Sequence, residues 1–512
     1  MPHPSTTAQH YPHRPAIIIG DTGEVVSYRE LDQRSNRGAH LFRALGLCAG
    51  DHIGMMVENN RQFLEIAWAA QRAGIVFTPI ATHLKRDEIV YILRNCGARL
   101  FIGSQPLAEV AEEILCERTP VEHYLMVGGG RTGFISWDDA VEEQPSTPIP
   151  DQGNGVPMVY SSGTTGLPKG VFVPPTSDDV NTPTAVTPFL ADALGFQEDT
   201  VYLNPAPLYH AGPLHYCMMT LYQGGTVVLM QRFSAETSLK LIERYRVTHS
   251  QWAPIMFIRL LKLPRALRES YDTTSMRVAV HSAASCPVDV KEAMLDWWGD
   301  VLLEYYASSE GVGLTMISAE EWLEHPGSVG KPAVGNVHIV GPDGTEQAPG
   351  EVGLVYFSGD HVRFTYFNEP EKTAEAYTET GWATAGDIGY VSEDGYLYLS
   401  GRESFTIISG GVNIYPQEVE NVMASHEKVA DVAVIGVPNA EFGEEVKAIV
   451  EPVSWTCANA ETADEILDWL RERISPVKMP RSLEFHPSLP RQDNGKLYKQ
   501  RLLEAYLLRD SA

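Results

Sequence analysis

Helix and strand signals alternate along the first 150 residues, and this alternation restricts the fold more than any other feature of the chain. Ser27-Tyr28-Arg29-Glu30 has the spacing of a capping box, in which a hydroxyl and a carboxylate satisfy free N–H groups at a helix start. Leu31, Phe42 and Leu45 follow on roughly one helical face, and Gly46 can end the helix. His52 to Val57 reads as a buried strand, Arg61 to Ala73 as a helix and Ile75 to Ile80 as a strand. Asp87 to Asn95 is helical again, and Arg99 to Ile102 is strand. Such alternation implies parallel sheets covered by helices. A second α/β pattern begins after Gly401-Arg402. It has helices over Pro416–His426 and Thr462–Ile474, and strands over Val432–Val437, Val446–Val450 and Leu483–His486. That tail is about 110 residues, the size of a small domain. The expected architecture is α/β, a large N-terminal domain of helix-covered sheets with a small mobile α+β C-terminal domain. The expected boundaries are 1–401, a hinge at 402–404, and 405–512.

Composition narrows the function. The chain has 512 residues and 39 Lys plus Arg against 66 Asp plus Glu, a net charge of −27. Bulk charge of that sign argues against a grip on nucleic acid or anionic lipid. A phosphate ligand must therefore be held by a local device. The six cysteines show no C-x-x-C pair, so neither a zinc site nor a disulfide framework is indicated. The apolar runs at 63–81 and 214–230 are interrupted by Glu65, Gln71, Arg72, Gln223 and the Gly224-Gly225 pair. Both fall short of the ~18 uninterrupted apolar residues of a spanning helix. Met1 to Arg14 lacks the apolar core of an export signal. The expected location is cytoplasmic.

The most informative string is Tyr160-Ser161-Ser162-Gly163-Thr164-Thr165-Gly166-Leu167-Pro168-Lys169-Gly170-Val171, flanked by strand signals. Between Tyr160 and Val171 it holds four Ser and Thr hydroxyls, three glycines and one lysine. Glycines let backbone N–H groups approach an anion, while hydroxyls and an ammonium add donors. It is not a Walker loop: Pro168 stands where that loop requires Gly, and Lys169 is followed by Gly170 rather than Ser or Thr. An ordinary Gly/Ser turn would not require the whole string.

The string resembles the signature of the adenylate-forming superfamily, which includes acyl-CoA synthetases, peptide-synthetase adenylation domains and beetle luciferases. Further motifs follow in that superfamily's order over almost the whole chain. Within the loop, the resemblance assigns ATP phosphate contacts to Ser161, Ser162, Gly163, Thr164, Gly166 and Lys169, and a catalytic and Mg²⁺-binding role to Thr165. Tyr305-Tyr306-Ala307-Ser308-Ser309-Glu310-Gly311 resembles its Y-G-x-T-E motif. Tyr306 and Ser309 would then lie against the nucleotide, and Glu310 would hold Mg²⁺. Read alone, Glu310 is an ordinary surface carboxylate. Gly381 to Asp387 resembles G-W-x-x-T-G-D, with Ala385 for the usual Thr. The motif implies that Asp387 accepts from both ribose hydroxyls, and a turn Asp is an equal reading without it. Arg402 matches a G-R pair that contacts ribose or phosphate. Ser404 and Phe405 stand where a charged hinge pair is usual, which puts charge-based control of a pivot in doubt.

Gly410 and Gly411, in I-I-S-G-G-V-N-I-Y-P, resemble the segment whose bare backbone walls the pantetheine channel of CoA. Lys496, in P-R-Q-D-N-G-K-L, matches the catalytic lysine that offsets charge between carboxylate and α-phosphate. By itself it is a solvated turn lysine. His210, in P-L-Y-H, would lie beside the acyl carboxylate. Trp252, Met256 and His281, with Met218, Met219 and Tyr222, are the expected lining of an apolar acid pocket. The implied function is an acyl-CoA synthetase that activates an apolar acid through an acyl-AMP and passes it to CoA, releasing AMP and pyrophosphate. Its ligands would be ATP, Mg²⁺, CoA and a small carboxylic acid, with no nucleic acid and no membrane span; a homodimer fits the same reading. Three rivals stay open: a ligase loading carrier-protein pantetheine, a luciferase-like oxygenase, and a non-catalytic nucleotide-binding regulator.

Overall fold

The computed structural model describes residues 3–161, 168–184, 186–410, 412–439, 441–491 and 497–510. It is a two-domain α/β architecture: a large N-terminal domain of helix-covered sheets and a smaller C-terminal α+β domain. The capping box at Ser27 is formed. The Ser27 amide donates to Glu30 Oε2 at 2.7 Å and the Glu30 amide donates to Ser27 Oγ at 3.3 Å. The helix Tyr28–Ala44 that it starts ends before Gly46, whose φ of +77° a side chain would resist.

The alternating segments build two sheets. One is fully parallel, ordered Val76–Pro79, His52–Met56, Leu100–Ser104, His123–Val127 and Ile135–Ser136. The other, of nine strands, has six neighbouring parallel strands: Pro15–Ile19, Thr226–Leu229, Val201–Asn204, His249–Trp252, Val278–His281 and Leu302–Ala307. Antiparallel strands close both edges. Because side chains alternate along a strand, each face of this sheet builds its own core. Leu203, Trp252, Ala279 and Leu302 pack on one side. Tyr202 and Val280 pack on the other, toward helix Ala211–Tyr222 with its Leu214 and Tyr216.

Buried polar residues on the first face carry a strong constraint. Lys291 Nζ donates to Glu304 Oε2 at 2.6 Å, and both side chains are buried. His281 Nε2 lies 3.5 Å from the same oxygen, and the Lys291 ammonium sits 4.7 Å from the Trp322 ring centroid. Burial lowers the Lys291 pKa and raises that of Glu304, and in each case the partner's charge opposes the shift. Glu304 thereby holds the strand that continues into Tyr305 and Tyr306.

Two smaller antiparallel sheets complete the N-terminal domain: Asn336–Val340, Gly353–Ser358, Ala383–Val391 and Leu397–Arg402, and the short set Thr365–Tyr366, Lys169–Phe172 and Val159–Ser161. The C-terminal sheet runs Val412–Ile414, Ile407–Ser409, Gly443–Pro452 and Val429–Asn439, with Ser482–Phe485 parallel to Gly443–Pro452. Helices Pro416–Ala424 and Ala460–Arg471 cover it around Val419, Val434, Ala448 and Ile466. The chain passes between the two sheets through a single 3₁₀ turn, Glu403–Phe405. The C-terminal domain lies against the larger one through Lys262, whose ammonium donates to the Val429 and Ala430 carbonyls at 3.0 and 3.2 Å. Arg501 Nη2 also donates to both oxygens of Glu88, at 3.0 and 3.1 Å.

The buried pair yields a stability prediction. Lys291→Met should destabilise the protein by about 3–5 kcal/mol, because Glu304 is left buried without its counter-ion. Lys291→Met combined with Glu304→Met should recover most of that loss. Urea unfolding of the two variants checks this, and equal loss in both would contradict it.

Candidate active site

The motif residues at the carboxyl end of the nine-stranded sheet converge with those of the two small sheets. Alternation along strand Leu302–Ala307 turns Tyr306 to the side opposite Tyr305. The Tyr306 hydroxyl donates to Asp387 Oδ2 at 2.7 Å, and Arg402 Nε donates to Asp387 Oδ1 at 2.9 Å. Asp387 and Arg402 lie on adjacent strands and are direct register partners. A carboxylate offers about four lone-pair sites. Two remain for a diol after these bonds are made. Asp387 raises the Arg402 pKa, and burial followed by Asp387 raises that of the Tyr306 phenol. At neutral pH the tyrosine is therefore a donor and the guanidinium a full charge.

Glu310 follows that strand and is buried. The Tyr366 hydroxyl donates to its Oε1 at 3.0 Å, and the Lys169 ammonium lies 4.6 Å from the Tyr366 ring centroid. Burial and the Glu310 charge both raise the Tyr366 pKa. Charge interactions also reach from Glu310 to Arg402 and Tyr306. Lys169, Tyr306, Glu310, Asp387 and Arg402 thus form one cluster, linked through Tyr366. Tyr366 is the member of this cluster that the motifs missed. It sits on a two-residue strand, too short to show any alternation.

Ser161 and Lys169 are register partners in the hairpin that carries the phosphate string. Ser162, Gly163, Thr164, Thr165 and Gly166 lie outside the described residues, as do Gly411 and Lys496. Ser309 is exposed in the turn beside Glu310. Among the described residues there is no group of three or more His, Cys, Asp or Glu placed to hold a metal ion. Mg²⁺ shared with phosphates needs only one or two protein carboxylates, a number that a single residue such as Glu310 could meet.

His210 lies at the N-terminus of helix Ala211–Tyr222. Its ring is 4.4 Å from that of Tyr209, Tyr209 is 6.0 Å from His83, and His83 is 5.8 Å from Tyr498. This row of rings joins the acid-motif segment to the C-terminal domain two residues after Lys496. On the other side of Lys496, Arg491 Nη2 donates to Asp431 Oδ1 at 2.6 Å, which ties that end to the C-terminal sheet. Gly410 lies elsewhere on the C-terminal domain, at a φ of +58°, with its amide donating to the Phe442 carbonyl at 2.8 Å. It borders a groove of about 350 Å³ lined by Ser409, Val412, Phe442, Val477 and Arg481.

Five of the residues expected to line an apolar acid pocket, Trp252, Met256, His281, Met219 and Tyr222, are buried. Trp252 packs against Phe257 and Trp298, and Met256 lies in the same core. His281 is fully buried on that face, edge-on to Phe257. Met219 and Tyr222 belong to the opposite core, where the Tyr222 hydroxyl accepts from Gln71. These residues read as apolar lining in sequence, but strand and helix periodicity turn them into the two cores.

The nucleotide-type cluster and the two-domain fold define a class of enzyme that activates acids at the expense of ATP. Residues 5–367 match the family model described as AMP-binding enzyme, and residues 418–496 match the AMP-binding enzyme C-terminal domain. The chain belongs to this adenylate-forming family, in its acyl-CoA synthetase and fatty-acid–CoA ligase branch. It is an ATP-binding, AMP-forming acid–thiol ligase that works through an acyl-adenylate. A feruloyl-CoA synthase from Amycolatopsis sp is 34% identical over 499 residues, covering 97% of this chain and 96% of the relative. The fatty acid–[acyl-carrier-protein] ligase ScoC of Streptomyces coeruleorubidus is 29% identical over 511 residues, covering 98% and 95%. The crystal structure of ATP-bound MatB from Rhodopseudomonas palustris superposes with a TM-score of 0.81 at 27% identity, covering 98% of this chain and 99% of that one. No helix among the described residues is long and apolar enough to cross a membrane.

The Asp387 cluster predicts a nucleotide-binding effect. Tyr306→Phe removes a hydrogen bond to a charged group, worth ~1.5–3 kcal/mol. It should raise the KM for ATP roughly tenfold or more and leave the KM for the acid within about twofold. Steady-state kinetics with each substrate varied checks this; equal effects on both would contradict it.

Proposed function

We propose that the protein is an acyl-CoA synthetase whose nucleotide site is the Lys169–Tyr306–Glu310–Asp387–Arg402 cluster. The observation that carries this reading is the convergence of Lys169, Tyr306, Asp387 and Arg402 from three separate sheets, with Glu310 from the turn after one of them, around the buried carboxylates of Asp387 and Glu310. In the proposed reaction the acid's carboxylate oxygen attacks the α-phosphorus of ATP, the bond to the bridging oxygen breaks, and pyrophosphate leaves with its electron pair. Asp387 accepts from the ribose hydroxyls. Ser161, Ser162, Gly163, Thr164, Gly166 and Lys169 hold the phosphates, and Ser309 lies beside the nucleotide. Thr165 and Glu310 would hold Mg²⁺, which neutralises phosphate charge when bound. Lys496 offsets the charge that builds between the carboxylate and the α-phosphate, and His210 lies at the acid's carboxylate.

In the second half-reaction the CoA sulfur attacks the acyl carbonyl, AMP leaves, and the thiol proton passes to solvent. We assign the acceptor arm to the groove beside Gly410, the first glycine of the Gly410-Gly411 pair. There a positive φ and a missing Cβ bring backbone close, and the Arg481 guanidinium stacks 4.1 Å over the Phe442 ring. For one small domain to serve both steps it must turn on the connection 402–404, between a domain of residues 1–401 and one of 405–512. Ser404, exposed in the 3₁₀ turn, is the proposed pivot.

Two measurements test this. The purified protein should form AMP and pyrophosphate, not ADP, from ATP, Mg²⁺, an acid and CoA; ADP as the stoichiometric product would refute adenylation. Lys496→Ala should slow acid-dependent ATP–pyrophosphate exchange at least 100-fold, ~3 kcal/mol or more in one transition state. Thioester formation from supplied acyl-AMP should stay within a few-fold of the unaltered protein. Equal loss in both half-reactions would contradict the two-conformation scheme, and transfer to a pantetheinylated carrier protein but not to CoA would reassign the acceptor.

A further inference from the structure

The three parallel strands His249–Trp252, Val278–His281 and Leu302–Ala307 end side by side, and ligands of open α/β sheets bind beyond the carboxyl ends of such strands. Alternation brings Gln251, Ser282 and Tyr305 to one face there, toward helix Ala211–Tyr222. Gln251 Nε2 donates to Ser282 Oγ at 3.0 Å, and both side chains are buried. A Cβ added at Gly212, in the first turn of the helix, would lie 3.4 Å from Gln251 Nε2, 3.7 Å from Gln251 Oε1 and 3.7 Å from the Tyr305 hydroxyl. An amide and a phenol therefore converge on one spot kept open by a glycine. One turn along the same helix, the buried Nε2 of His215 has no hydrogen-bond partner among the described residues. Burial lowers the His215 pKa to about 4, so this nitrogen stays uncharged. The rings of Tyr216 and Tyr305, 6.3 Å apart, flank the same spot. Gly212 lies two residues after His210, the proposed neighbour of the acid's carboxylate, so this wall borders the proposed acid site.

We infer that Gln251, Ser282 and Tyr305 form the specificity wall of the acid pocket and select an aromatic carboxylic acid with a neutral hydroxyl remote from the carboxylate. The inference rests on the proposed ligase reading. A hydroxyl can both donate and accept, which suits an amide and a phenol together. A hydrocarbon tail would offer these groups no further hydrogen bond, and sites built to bond a substrate hydroxyl discriminate strongly against analogues that lack it. None of the named wall residues carries a charge at neutral pH, so nothing in the wall compensates a second carboxylate.

The test compares kcat/KM, from acid-dependent ATP–pyrophosphate exchange, for 4-hydroxycinnamic against cinnamic acid and 4-hydroxybenzoic against benzoic acid, with octanoic acid as an aliphatic control. The hydroxylated member of at least one pair should be favoured about 100-fold over its partner and over octanoic acid. Gln251→Leu should reduce that ratio to within about fivefold of unity, chiefly by slowing the hydroxylated acid. Gly212→Ala, which adds one methyl at ordinary contact distance in a helix, should reduce it too, so the result does not depend on Gln251→Leu folding. Ratios near unity in both pairs, a ratio left unchanged by Gly212→Ala, or octanoic acid as the best substrate would overturn the inference and leave the ligase reading standing. No exchange with any of the five acids would likewise overturn the inference and leave the ligase reading standing, since that reading does not depend on these acids.

Discussion

The strand Leu302–Ala307 is the constraint on which the site depends. Glu304 anchors it in the sheet through Lys291, Tyr305 faces the helix side, and Tyr306 reaches the Asp387 cluster. A one-residue slip of this strand would exchange all of these faces, since strand periodicity is two. Such a slip would also leave Glu304 without its buried counter-ion, so the ion pair enforces register as well as position. Three consecutive side chains therefore connect the core, the proposed acid-side wall and the proposed nucleotide cluster.

Electrostatics explains why the cluster is local. A chain of net charge −27 repels a polyanionic nucleotide at long range. The buried Asp387 is held by one guanidinium and one phenol, and Glu310 by a phenol that itself lies under the Lys169 ammonium. Each carboxylate is bonded in a partly desolvated site where such bonds count most. Both tyrosines stay protonated because burial and the neighbouring carboxylates raise their pKa values. The carboxylates are thus oriented while lone pairs remain for a ligand.

Much of this was legible in the sequence. The capping box at Ser27, the parallel strands at His52 and Leu100, and the C-terminal strands at Val432 and Val446 all lie where local pattern placed them. Local pattern suffices there because propensity, burial and turn chemistry agree. The motif strings also named five of the six side chains that meet around Asp387 and Glu310. Tyr366 escaped because its strand is two residues long and its partners are distant in sequence. Trp252, Met256 and His281, expected from the sequence to line a pocket, are buried in the structure. Apolar and aromatic character does not distinguish a core from a pocket, and only the pairing of strands decides which face of the sheet each residue occupies.

What the sequence determined by itself was chemical: a loop of hydroxyls, glycines and a lysine able to cradle phosphate, two acidic motif residues, and alternating elements that must form helix-covered sheets. Those properties reside in residue type and short-range spacing. The tertiary structure decided which groups meet. It placed Arg402 opposite Asp387 by strand register, brought Tyr366 to Glu310 across 56 residues, and turned Gln251, Ser282 and Tyr305 to one wall above Gly212. Contacts between distant segments depend on sheet order and register, and neither is encoded in any local window of the chain.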